Sequence, residues 1–200
     1  RIIEFGMNSS IVRGVNFQPM CFSGRVKEID TKNRITLTGV LNRIEKQTKG
    51  MILKKDFIPL PCDVDRVAIN YLYRKDGEFT SLARNIDVKK YLYFIDNTFN
   101  FDADNILGKE TKGMFSGIGS ACNCLAFLND LRKIIPNGFD KKSEKEKMNF
   151  VNENTFRISV SSFLDAYNFD VKSAQKECVH IITPELKKIP FSTYSMLHRK

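Results

Sequence analysis

The chain is 200 residues long, with 42% hydrophobic and 28% charged residues, which suits one globular domain or a domain with an appendage. No apolar run approaches the ~18 residues that span a bilayer; the longest, Cys124-Leu-Ala-Phe-Leu128, is core-sized, so a membrane-spanning helix is not expected. A net charge of +9 favours anionic partners, while five cysteines, an odd count, argue against a disulfide framework and for a reducing, cytoplasmic setting with at most peripheral membrane contact.

The opening Arg1-Ile-Ile-Glu-Phe reads as the last turns of a helix that stops at Asn8, which implies that a preceding strand is missing. Residues 11–17, Ile-Val-Arg-Gly-Val-Asn-Phe, are dense in β-branched side chains and predict a strand closed by Pro19. A charged loop around Gly24 follows. From Leu37 the apolar positions Leu37, Val40, Leu41 and Ile44 recur at i, i+3, i+4 and i+7, so a helix is predicted with Thr36 as its N-cap and Gly50 as its stop.

Phe57-Ile-Pro-Leu-Pro-Cys62 reads as a second buried strand, and residues 67–73 as a third, turned back by Asp76-Gly77 onto Phe79-Thr-Ser-Leu82. Asp87 is a candidate cap for a short helix over 88–95, and a stronger helix is predicted over 120–135, ended by Pro136-Asn-Gly138. The alternating charges of 140–147 suggest a flexible surface loop near 140–150. Beyond it, residues 156–160 are strand-like, Ser159 is a candidate cap for a helix reaching Tyr167, and Asp170 for another through Glu177. Residues 178–183 and 188–191 form a hairpin pattern joined at Pro184-Glu185.

Few residues offer chemistry. Cys122 and Cys124 fall two apart on a predicted helix and so diverge by about 200°, too far to grip one ion; Cys124 belongs to the apolar stripe. Cys178 and His180 are different, because residues two apart on a strand share a face, and thiolate with imidazole suits zinc or iron-sulfur. Cys62, presented by Pro59 and Pro61, is a third candidate metal ligand. Gln18 and Pro19, at the end of a buried strand, are the polar pair best placed to face a cofactor, since the carboxyl ends of parallel strands form the functional face of a barrel. Phosphate-loop, dinucleotide, zinc-protease and serine-hydrolase motifs are absent, and two histidines, His180 and His198, leave little for histidine-centred acid-base chemistry.

Arg1-Ile-Ile-Glu-Phe, the stretch Ile11-Val-Arg-Gly-Val-Asn-Phe-Gln-Pro-Met-Cys-Phe-Ser-Gly-Arg25, Asp56-Phe-Ile-Pro-Leu-Pro-Cys62, Phe163-Leu-Asp-Ala-Tyr-Asn-Phe-Asp170 and Cys178-Val-His180 together resemble the later part of a radical S-adenosylmethionine protein. The nearest group is the archaeal one similar to tetraether lipid synthase, some of whose members are pterin methyltransferases. The resemblance implies an α/β fold: a partial TIM-type barrel half (the last βα units, residues 1–62) followed by an α+β C-terminal extension (63–200). It also implies S-adenosylmethionine and [4Fe-4S] cofactors, lipid or pterin substrates, and an N-terminal radical S-adenosylmethionine half or an oligomer as partner. The C-x-x-x-C-x-x-C loop that holds the main cluster is not in this sequence. Where the family tends to place further cysteines this chain has Val67, Glu177 and Ser192. Two other functions fit the same residues: a non-catalytic binding protein of this fold, and a basic nucleic-acid binder.

Overall fold

The computed structural model describes residues 1–23, 30–60, 63–75, 77–87 and 138–198. The helices predicted over 88–95 and 120–135, with Cys62, Cys122 and Cys124, lie outside the described residues. The described residues divide into two compact units, 1–70 with 157–200, and 71–156.

In the first unit, helix α1 (Ile2–Asn8) ends as the sequence predicts and packs on strand β1 (Gly14–Phe17). The strand starts three residues later than expected. Ser9 explains the delay: its hydroxyl accepts the N–H groups of Ile11 and Val12 at 3.2 and 3.3 Å, which holds them in a turn and leaves Ile11 84% exposed. Strand β1 runs parallel to β5 (Thr155–Ser161), with Gly14 opposite Arg157 and Phe17 opposite Val160. A Cβ on Gly14 would lie 2.5 Å from the Arg157 carbonyl oxygen, so glycine is what lets these strands approach.

Helix α2 (Leu37–Gln47) carries the predicted stripe inward through Leu41 and Ile44. The Thr36 hydroxyl caps it, accepting the Gly39 N–H at 3.1 Å. At the other end Lys49 and Gly50 turn left-handed, and the Gly50 N–H returns to the Glu45 carbonyl. The strand expected over 57–62 shrinks to β2 (Ile58–Pro59), because a proline inside it has no N–H to give the ladder. It pairs antiparallel with β3 (Val67–Lys75), Ile58 opposite Ile69. The sheet order is β1-β5-β3-β2, with β4 (Glu78–Ser81) on the far part of β3. The fold is therefore α/β with a mixed sheet.

In the second unit β3 and β4 form the predicted hairpin, with Gly77 at φ 86° in its turn. The expected surface loop from Glu144 onward is instead helical: α3 (Glu144–Asn154) begins in a capping box, where the Ser143 hydroxyl accepts the Glu146 N–H and the Glu146 carboxylate accepts the Ser143 N–H at 2.9 Å.

Ser159 does not cap a helix. It sits buried inside β5, its hydroxyl donating to the Asn16 side-chain oxygen at 3.0 Å, and the chain beyond the strand is a loop with one turn. Asp170 does cap, starting α4 (Val171–Lys176) by accepting the Ser173 N–H at 2.8 Å. The last hairpin, β6 (His180–Ile182) with β7 (Lys188–Pro190), also forms as predicted. Ile52, Ile158 and Val160 are fully buried and centre the core of the first unit. Among the described residues, no helix is long and apolar enough to cross a membrane.

Candidate functional site

Strands β1 and β5 are parallel, so their carboxyl ends emerge on one side, the position where α/β sheets gather ligand-binding loops. A cavity of about 160 Å³ opens there. Pro19 and Met20, which follow β1, form one wall; Ser162 and Phe163, which follow β5, form another. The start of α2, Thr36 to Thr38, and the side chains of Arg34, Asp65 and Arg66 complete it.

A buried carboxylate organises this end of the unit. Asp165 is 1% exposed and accepts from the Phe22 N–H at 3.2 Å, the Tyr167 N–H at 3.0 Å, and Arg34 Nη2 at 2.9 and 3.0 Å. One side chain thus ties together the loop after β1, the approach to α2 and the loop after β5. Its own N–H donates to the Asn168 side-chain oxygen at 2.7 Å, and the rings of Phe22 and Tyr167 meet edge-on at 6.0 Å. The loop after β5 is anchored a second time, where the Ser162 N–H and hydroxyl both donate to the Arg66 carbonyl. Arg66 Nε is fully buried without a hydrogen-bond partner.

A second buried polar cluster joins α4 to the C-terminal turn. Glu177 accepts from the Ser192 N–H at 3.0 Å and from its hydroxyl at 2.8 Å, while the same hydroxyl oxygen accepts the Leu164 N–H at 3.0 Å. Burial pushes the Asp63 carboxyl up to about 6, with the Glu177 and Asp65 charges adding to the rise and Arg66 opposing it.

Of the residues singled out by sequence, Pro19 lines the cavity, while Gln18 is exposed and does not. Cys178 precedes β6 rather than sharing its face with His180; its thiol lies 3.9 Å from the Lys176 carbonyl, and His180 Nδ1 lies 3.3 Å from the Cys178 carbonyl. Among the described residues, no group of three or more cysteine, histidine, aspartate or glutamate side chains is arranged to hold a metal ion. An iron-sulfur cluster needs about four soft ligands. The described residues do not fit one. Two positions where the resemblance implies thiolates are Glu177 and Ser192, already bonded to each other. Sequence reasoning passed over Arg34, Arg66 and Asp165. Asp165 was hidden because the segment holding it reads as a helix, in which a carboxylate faces water.

A parallel strand pair, the helix that follows one of its strands, and a cavity at their joint end define an α/β unit with a candidate ligand site. No family model matches the chain. It is 30% identical over 227 aligned positions to the 7,8-dihydro-6-hydroxymethylpterin dimethyltransferase of Methanocaldococcus jannaschii, a match covering 96% of this chain and 44% of the relative. The chain thus spans less than half of that relative's length. The likeness is thus to a pterin methyltransferase, one of the activities that the sequence resemblance implies.

Proposed function

We propose that this chain contributes the ligand-binding portion of a radical S-adenosylmethionine-type methyltransferase that acts on a reduced pterin. The observation that carries the reading is the cavity at the carboxyl ends of β1 and β5, in a chain similar to a pterin methyltransferase along almost its whole length. Size favours one of the two substrates. A cavity of about 160 Å³ is comparable to the ~150 Å³ that admits a single ring and falls below the ~300 Å³ of sites that enclose a whole drug-sized ligand. It suits a compact, polar heterocycle better than the long apolar tunnel that a tetraether-forming lipid would need. In this reading β1 belongs to a partial TIM-type barrel half, residues 1–62, and Gln18 and Pro19 lie on the edge that faces S-adenosylmethionine. The cluster loop comes from an N-terminal half that acts as partner, and Cys62, Cys178 and His180 become metal ligands only with donors supplied from outside the described residues.

Calorimetric titration of the purified chain with 6-hydroxymethyl-7,8-dihydropterin tests this directly. Saturable binding is expected, weakened at least tenfold by Ser162→Trp, which fills the cavity. Absence of binding, or binding indifferent to that substitution, refutes the reading.

A further inference from the structure

The cavity at the ends of β1 and β5 carries more hydrogen-bond donors than its walls can satisfy. The Arg34 guanidinium has five N–H donors, and only those of Nη2 are engaged, both by Asp165. The three on Nη1 and Nε have no partner among the described residues. Arg34 lines the cavity with its side chain 24% exposed, and the buried carboxylate behind it fixes the plane of the guanidinium. Arg66, also in the wall, adds a second positive charge, although its Nε is fully buried and closed off from the space. The first N–H groups of α2, at Leu37 and Thr38, have no acceptor within the helix, and both residues line the same space. Against these donors the wall offers one uncommitted carboxylate, Asp65, which is exposed.

We infer that the cavity takes an oxyanion, a phosphate or carboxylate group of its ligand, gripped by Arg34 in an orientation set by Asp165, with the start of α2 as a further donor and the Arg66 charge beside it. A guanidinium held by a buried carboxylate is already ordered before the ligand arrives, so little side-chain entropy is lost on binding. Each of the free N–H groups on Nη1 and Nε can donate singly to an oxygen of either anion. The inference rests on reading the cavity as a ligand site and concerns an anionic group of what enters, which 6-hydroxymethyl-7,8-dihydropterin itself does not carry.

The test is a thermal-shift and calorimetric titration of the intact chain with inorganic phosphate and, separately, with acetate, at constant ionic strength balanced by chloride. A saturable rise in melting temperature with one of them is expected, and the preferred anion shows whether the natural group is a phosphate or a carboxylate. Arg34→Lys keeps the charge beside Asp165 but loses the Nη1 and Nε donors, and should weaken the preferred anion at least tenfold while leaving the far-ultraviolet dichroism unchanged. Arg66→Gln, which leaves the Arg34–Asp165 pair in place, should weaken it severalfold. Saturation by neither anion, or equal affinity in both variants and the parent chain, overturns the inference. Because 6-hydroxymethyl-7,8-dihydropterin carries no anionic group, its binding without anion binding would refute only the oxyanion, and the converse would refute only the pterin.

Discussion

The Arg34–Asp165 pair gives the sharpest prediction about stability. Asp165 is 1% exposed and holds four hydrogen bonds, while the Arg34 side chain is 24% exposed. Arg34→Ala strands a buried carboxylate with only the Phe22 and Tyr167 amides, and removing one partner of a buried pair costs about 3–5 kcal/mol. Asp165→Ala frees a guanidinium that can recover water, but it also orphans the two amides, Phe22 being 3% exposed; at ~1–3 kcal/mol for each unsatisfied group the loss is again about 3 kcal/mol or more. Much of each penalty is the same stranded partner, so the double substitution should cost well under the sum, with a coupling of at least ~1.5 kcal/mol. Urea unfolding followed by circular dichroism measures all three variants, since the chain has no tryptophan. Losses that add to within ~0.5 kcal/mol would show that the pair does not act as a unit and would refute the account of the site.

Three further outcomes follow from other residues. The Asp63 pKa is raised in the folded state from 3.8 to about 6, so ionising this carboxyl opposes folding: its cost is absent below the unfolded value, grows as pH rises through that window and is complete above it. Asp63→Asn should therefore leave stability unchanged near pH 3.5 and raise it at pH 7 by on the order of 1–2 kcal/mol, allowing for solvent screening; an equal gain at both pH values counts against the burial argument. Gly14→Ala drives a Cβ to 2.5 Å from the Arg157 carbonyl and should cost about 1–3 kcal/mol or more by overpacking. A neutral melting curve would mean that β1 and β5 are not so closely paired. Ser143→Ala removes the cap of α3 and should cost about 1 kcal/mol, with loss of helical dichroism; an unchanged helix signal would argue that packing alone holds α3.

Elements whose signals are local were legible in the sequence. The stripe of α2 and its Thr36 cap, the β3–β4 hairpin and the Asp170 cap all lie within windows of about a dozen residues. Helix α3 was missed because most of its side chains are exposed, so it shows no apolar stripe. Its one clear mark is Ser143 followed by Glu146, lost in a run of alternating charge. The cavity end was half legible. Pro19 follows from the end of β1, but Asp165 takes its meaning from Arg34, 131 positions away, and from Phe22, 143 away. No window of sequence contains that triangle. The serine and apolar pattern from Ser159 onward favours a helix, in which Asp165 would face water, so the local sequence carries no sign of its burial.

The bonds among Glu177, Ser192 and Leu164 constrain how this chain can change. If relatives carry cysteines at 177 and 192, passage between the two states by single steps is blocked from either side. A cysteine in place of Ser192 leaves a 7%-exposed carboxylate without its hydroxyl donor and the Leu164 amide facing a poor acceptor, whereas a cysteine in place of Glu177 strands the hydroxyl and amide of Ser192. Each intermediate is disfavoured by about 1–3 kcal/mol for every group left unmet. The two positions are thus expected to covary among homologous sequences, and the exchange between them acts as a ratchet: once the carboxylate and hydroxyl have found each other, drift back to thiols requires both to move together.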